Sequence, residues 1–167
     1  GGTFRGRVSL TAGAAWRVTG LDAAHAMLIF ARDAAAGTGR NSPVFVEACA
    51  AHAPFRAGAF DIVFSNSILH HVHDAHAFWS ELRRLVRPGG FVFLRDLRRL
   101  ATPDDARRVV DTYAANESAL LREEFYRSLL AAYTPEEVRA QLAGAGLHGL
   151  RVEAVSDRHL DVWGRVA

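Results

Sequence analysis

The sequence predicts an α/β fold: a doubly wound, mostly parallel sheet with an antiparallel hairpin at its C-terminal end. Three observations carry this expectation. Short apolar runs bounded by turn residues alternate with helix-patterned stretches along the chain. The run Phe60-Asp61-Ile62-Val63-Phe64-Ser65 is apolar almost throughout, as a parallel strand covered on both faces should be. The last two apolar runs are joined by a connection too short for a crossover, so they must pair antiparallel. The length of 167 residues fits one domain, residues 1–167, rather than two.

Residues 17–21 read as a short strand ending at Asp22. The Ala-rich stretch 23–36, with Met27, Leu28, Phe30 and Ala31, reads as a helix, stopped by Gly37-Thr38-Gly39. Pro43 to Val46 is a second strand and Phe60 to Ser65 a third. Asp74 suits the cap of the next helix, where Phe78, Leu82 and Leu85 share a face. Arg87-Pro88-Gly89-Gly90 ends that helix, and Phe91 to Leu94 is a fourth strand. Thr102-Pro103-Asp104-Asp105 and Thr134-Pro135-Glu136-Glu137 each place Thr at a cap, Pro at the first helical position and acids in the first turn. Leu150 to Val155 and His159 to Val166 form the final hairpin around Ser156-Asp157-Arg158.

Composition narrows the class. Half the residues are hydrophobic, enough for a sizeable core. Lys plus Arg exceed Asp plus Glu by only two (20 against 18), and no basic run interleaves with aromatics, which argues against nucleic acid. Cys49 is the sole cysteine, so no internal disulfide forms and a reducing cytoplasm is the expected setting. No apolar run approaches the roughly 20 residues of a membrane helix.

Ligands of wound sheets bind beyond the carboxyl ends of the strands. The candidates are therefore Asp22, Ala48-Cys49, Ser65-Asn66 and Arg95-Asp96. Asp22 can accept from a ribose diol, or it can cap the helix that follows. Gly1-Gly2-Thr3 and Gly6 allow a close backbone approach, but glycines at a chain start are also simply pliable. His70, His71, His73 and His76 crowd one stretch. With no supporting acid or cysteine pattern, a metal site is disfavoured (none is expected), and a site-lining role for His70 or His71 is preferred. Met27, Phe78 and Trp79 fit core packing by their helical spacing. Asp157-Arg158-His159 reads either as a solvated turn or as a substrate-facing one.

Taken together, four segments resemble a class I S-adenosylmethionine-dependent methyltransferase of the small-molecule type. They are Val18-Thr19-Gly20-Leu21-Asp22 with Ala26-Met27-Leu28, then Ala53 through Val63, Ser65-Asn66-Ser67-Ile68-Leu69-His70-His71, and Leu85 through Phe91. The tail segments Arg95-Asp96-Leu97, Ser128 to Thr134 and Ser156 to His159 resemble an uncharacterised bacterial subgroup. The resemblance implies a Rossmann-like sheet, S-adenosyl-L-methionine as cofactor and a small-molecule methyl acceptor. It puts Gly1, Gly2, Asp22, Ala23, Met27, Ala48, Cys49, Ser65 and Asn66 on the cofactor side. His71, Arg95 and Asp96 fall on the substrate side, and His70 and His159 become candidate general bases. An acid at the position of Asp22 binds the cofactor ribose in that family.

Two departures from the family pattern matter. The family has an Asp where Cys49 stands, to accept from the adenine amino group, and a thiol is a poor acceptor. The family's first strand and its acid are expected upstream of Gly1, so the chain reads as truncated at its N-terminus. Loss of a central strand would leave backbone groups unpaired. The chain is then expected to be unstable, or to dimerise through its unpaired strands. The rival expectation is a non-catalytic remnant or interaction module. A nicotinamide-binding domain would need a Gly-x-Gly-x-x-Gly turn that Gly1 to Gly6 do not give.

Overall fold

A computed structural model describes residues 17–36 and 43–167. Gly1, Gly2, Gly6 and the Arg7-Val8-Ser9-Leu10 segment lie outside the described residues, as does the Gly37-Thr38-Gly39 stop. The chain divides into two compact units, Gly1–Pro54 and Phe55–Ala167.

In the first unit, β1 (Thr19–Asp22) and β2 (Val44–Glu47) pair in parallel, with Asp22 opposite Glu47. Gly20 is required where it stands, because a Cβ there would sit 2.7 Å from the Phe45 ring. α1 (His25–Ala35) connects the strands and buries Leu28. It starts two residues later than its Ala-rich composition suggests, because Ala24 keeps an extended backbone (φ −94°, ψ 107°) and stands as the cap. Met27 is 49 % exposed, which corrects the expectation that it packs in a core.

The second unit is built on a four-stranded sheet of order β3-β4-β6-β5. β3 (Phe60–Asn66) runs parallel to β4 (Val86–Leu97). β6 (His159–Arg165) is antiparallel to both β4 and β5 (Leu150–Ala154). The sheet of this unit is therefore mixed, with one parallel pair and two antiparallel ones, and it includes the expected C-terminal hairpin. Between β3 and β4 lie a single 3-10 turn (Leu69–His71) and α2 (Ala75–Leu85). α3 (Pro103–Tyr113), α4 (Ala119–Ala131) and α5 (Pro135–Gly144) follow β4.

The anticipated caps are in place. Asp74 accepts from the Ala77 amide at 2.9 Å, and Thr102 and Thr134 each form a reciprocal capping box with Asp105 and Glu137. One boundary differs. Arg87-Pro88-Gly89-Gly90 does not separate α2 from a strand at Phe91; α2 stops at Leu85 and β4 starts at Val86. The Pro-Gly-Gly segment is an excursion inside β4, where the register against β3 jumps from Phe60↔Val86 to Ile62↔Phe91. Gly89 takes a left-handed φ of +75° there, and its amide is satisfied by the Val166 carbonyl.

One face of this sheet carries the core: Val92, Leu94, Leu160 and Val162 are at most 1 % exposed, as are Trp79 and Val138 from the helices. A second cluster, including Leu97, Val110, Leu129 and Ala132, joins the end of β4 to α3 and α4. The position of Phe78 and Trp79 in the core agrees with their spacing.

Candidate functional site

Each unit presents part of the expected site at its strand ends. In the first, Asp22 closes β1. Its Oδ1 accepts the Ala24 amide at 2.7 Å, and its backbone carbonyl accepts the Ala48 amide at 3.1 Å. This holds the carboxylate at the entrance to α1, although the α1 cap itself is Ala24 with no side-chain bond. Among the described residues Oδ2 has no partner, so one carboxylate oxygen stays open for a diol. The open acceptor oxygen thus fits a hydroxyl of the ribose of S-adenosylmethionine. His25 Nδ1 lies 2.7 Å from Glu47 Oε2, a pair that sequence spacing did not reveal. Cys49 is exposed, and its carbonyl is taken by the His52 amide. A thiol is a poor hydrogen-bond acceptor.

In the second unit the site grows from the ends of β3 and β4. Ser65 and Asn66 lie opposite Leu94 and Arg95, and the Ser67 amide donates to the Arg95 carbonyl at 2.9 Å. Ser67 has a φ of +57°, the single non-glycine residue among those described in the left-handed region. Strain of this kind concentrates at functional turns. Nothing in its residue type announced it. The chain then winds into the 3-10 turn, which presents His70 and His71.

Asp96 organises this turn. Its side chain is 1 % exposed, and it accepts three hydrogen bonds: from the Leu69 amide (2.6 Å), from its neighbour's amide at Leu97 (2.8 Å), and from His70 Nδ1 (2.6 Å). Three donors offset the cost of burying a carboxylate. With Nδ1–H committed to Asp96, the Nε2 of His70 carries the lone pair, and among the described residues it has no partner. The His70 side chain is 5 % exposed, so that nitrogen is largely shielded from bulk water. The His71 ring packs 4.0 Å from it, centroid to centroid. Burial, then the His70 neighbour, holds the His71 imidazole below its ordinary range, against a weaker upward pull from Asp96.

Two sequence expectations need correction here. Asp96 is too buried to touch a substrate; it acts on His70. Arg95 is not a free cation awaiting an anionic acceptor. Its guanidinium forms two parallel bonds to Asp161, at 2.7 and 2.6 Å, across the β4–β6 pair. His159 sits opposite Leu97 in the same strand pair, with Nδ1 3.1 Å from Ser156 Oγ. Burial, then the Arg158 and Arg95 cations, pushes its imidazole down. The structure thus joins Asp96 to His70 by a hydrogen bond and His70 to His71 by a ring contact, and it joins Arg95 to Asp161. It gives no direct contact between His70 and His159. Among the described residues no group of three metal-ligating side chains converges.

Comparison with known proteins supplies the family. The model of the methyltransferase domain family matches residues 2–94. A ubiquinone biosynthesis O-methyltransferase of Sinorhizobium fredii is 39 % identical over 83 residues, covering 49 % of this chain and 33 % of that protein. The 27-O-demethylrifamycin SV methyltransferase of Amycolatopsis mediterranei is 29 % identical over 128 residues, 74 % of this chain and 42 % of the relative. The chain thus spans about a third of the length of the ubiquinone-pathway relatives it matches. Among solved structures, an S-adenosylmethionine-dependent methyltransferase from Aquifex aeolicus superposes with a TM-score of 0.64 at 16 % identity, covering 90 % of this chain and 69 % of that one. The trans-methyltransferase CalH, in complex with S-adenosylhomocysteine, gives 0.65 at 21 % identity, covering 90 % and 43 %. These structures share the fold. Family match, fold and an Asp22 that fits a ribose agree, and the chain belongs to the class I S-adenosylmethionine-dependent methyltransferases.

Proposed function

We propose that this chain transfers a methyl group to a hydroxyl of an organic small molecule, with His70 as general base and Asp96 as the group that orients it. The observation that carries the reading is the 2.6 Å contact between His70 Nδ1 and the buried Asp96 carboxylate. It fixes one tautomer and leaves Nε2 as a shielded proton acceptor at the ligand end of the sheet. When bound, S-adenosylmethionine supplies an electrophilic methyl on a sulfonium sulfur. Asp22 would hold its ribose through the open Oδ2. Ala23, Met27, Ala48, Ser65 and Asn66 would shape the rest of the cofactor side, and adenine would rely on backbone and apolar contacts beside Cys49. His70 Nε2 takes the proton of the acceptor hydroxyl. A cofactor held there would offer its methyl to the acceptor oxygen, and Asp96 would balance the charge of the imidazolium. His71, kept neutral, lines the acceptor side. His159 is the second candidate base, acting from the hairpin turn.

The same reading extends to the whole chain. All 167 residues serve one domain in the cytoplasm, with a small molecule rather than nucleic acid or membrane as partner. Among the described residues, no helix is long and apolar enough to cross a membrane. β3 pairs only with β4 among those residues, and its free edge is proposed to pair with a second copy of the chain.

Two measurements test the catalytic reading. Calorimetric titration with S-adenosylmethionine and S-adenosylhomocysteine should show binding; absence of both would favour the non-catalytic module. Radiolabelled methyl transfer to a panel of phenols and aliphatic alcohols should fall about 100-fold or more in His70→Gln, with cofactor affinity unchanged. Equal turnover in the variant rejects His70 as the base.

A further inference from the structure

A three-residue 3-10 turn is a weak platform for a base. Leu69–His71 is closed by two backbone bonds, His71 N to Ile68 O (2.9 Å) and Val72 N to Leu69 O (3.0 Å), and no side chain caps it. It follows a residue in the left-handed region. Its orientation must come from outside. Asp96 fixes its entrance through the Leu69 amide. Its exit is fixed by a different group, 61 residues further along the chain. The Tyr133 hydroxyl donates to the Val72 carbonyl at 2.9 Å.

Tyr133 is placed to do more than pack. It lies between α4 and α5, where Ala132 is fully buried and Thr134 begins the α5 capping box. Its own carbonyl accepts the Arg99 amide at 3.0 Å, and its backbone bridges to Arg98. That segment directly follows Asp96. One residue therefore grips both chain segments that carry the His70–Asp96 pair: the exit of the histidine turn with its side chain, and the end of β4 with its backbone. Arg98 in turn donates its amide to the Arg158 carbonyl, beside His159.

We propose that Tyr133 is a positioning residue for methyl transfer, whose hydroxyl holds the 3-10 turn so that His70 keeps its bond to Asp96. The proposal rests on the reading of His70 as base, but its test does not need turnover. Nitrogen-resolved NMR of the full chain, without ligand, reads the His70 Nδ1–H, assigned by its loss in His70→Gln. The Trp79 indole N–H, bonded to Gln141 at 2.9 Å, serves as a control distant in sequence. In Tyr133→Phe, which keeps the ring and the backbone bridge, solvent exchange of the His70 proton should accelerate about fivefold or more, the fold-change expected when one modest hydrogen bond is lost. The Trp79 proton should be unchanged. Equal acceleration at both sites, or none at His70, overturns the proposal. If Tyr133→Phe does not fold, the unaltered chain decides. The His70 Nδ1–H and the Val72 amide should exchange through one opening, separate from that of Trp79; independent openings for the first two overturn it. If the exchange result holds while His70→Gln keeps full turnover, the positioning stands and the reading of His70 as base fails.

Discussion

The proposed roles of Asp22 at the ribose and of Cys49 beside adenine can both be tested by binding. Asp22→Asn keeps the shape but loses the charge that a ribose diol prefers, and its S-adenosylmethionine affinity should drop about tenfold in calorimetry, the worth of a charge-assisted bond. Cys49→Asp restores an acceptor for the adenine amino group and should tighten binding by about 1 kcal/mol, roughly fivefold. The histidines add a pH dependence. Both His71 and His159 are held below the ordinary imidazole value of about 6.5 by burial and by positive or neighbouring imidazole groups. In that window the unfolded chain binds more protons than the folded one, so their contribution is complete above about pH 6.5 and is lost as pH falls through the lowered values. Denaturant midpoints should therefore decline from pH 7.5 toward 5.5, and His71→Gln should flatten the decline. Asp157, held down chiefly by the Tyr113 hydroxyl, and Glu137, held down chiefly by the Thr134 amide, act in a separate and lower range, below about pH 4. At this scale the sequence pointed to His70, His71 and Asp22 because each follows a strand. It could not show that Arg95 is committed to Asp161, 66 residues away, nor that Asp96 faces inward onto His70. Contacts between distant segments leave no spacing pattern.

Among the elements, the starts of the two helices with reciprocal caps were readable to the residue. Thr102 and Thr134 each stand three positions before an acid and one before a proline, and local chemistry of that kind survives in any tertiary context. Thr134→Ala should cost about 1 kcal/mol in chemical denaturation, since it frees the Glu137 amide at the start of α5. α4 was less legible. Its cap is Ser118, which accepts from the Leu121 amide at 3.3 Å, without the proline and acid pair that mark the other two. β4 shows the opposite failure. Pro88-Gly89-Gly90 reads as a terminator, yet β4 continues past it because the Gly89 amide and the Gly90 carbonyl bond with Val166, and Arg165 reaches the Gly89 carbonyl. Partners at the far end of the chain turned a stop signal into an excursion.

For the whole molecule, the wound α/β class and the closing hairpin were legible because apolar runs bounded by turn residues alternate with helix-patterned stretches along the chain. Assembly was not legible beyond the expectation of unpaired strands. On β3, Ile62 and Phe64 point to the same face and are 41 % and 52 % exposed. If the β3 edge joins two copies, sedimentation should show an association that rises with concentration, and the double change Ile62→Lys with Phe64→Lys should reduce it to monomer. The division of the chain at Pro54 has a further consequence. Asp22, proposed to hold the ribose, lies before it, and His70, the proposed base, lies after it with Asp96 and Tyr133. A genetic crossover near codon 54 would therefore keep the Asp22 carboxylate and replace the histidine turn, Asp96 and Tyr133 together with Ser65 and Asn66. Such an exchange moves the His70–Asp96 pair and the Tyr133 hydroxyl that holds its turn as one inherited block, so their mutual geometry survives the crossover.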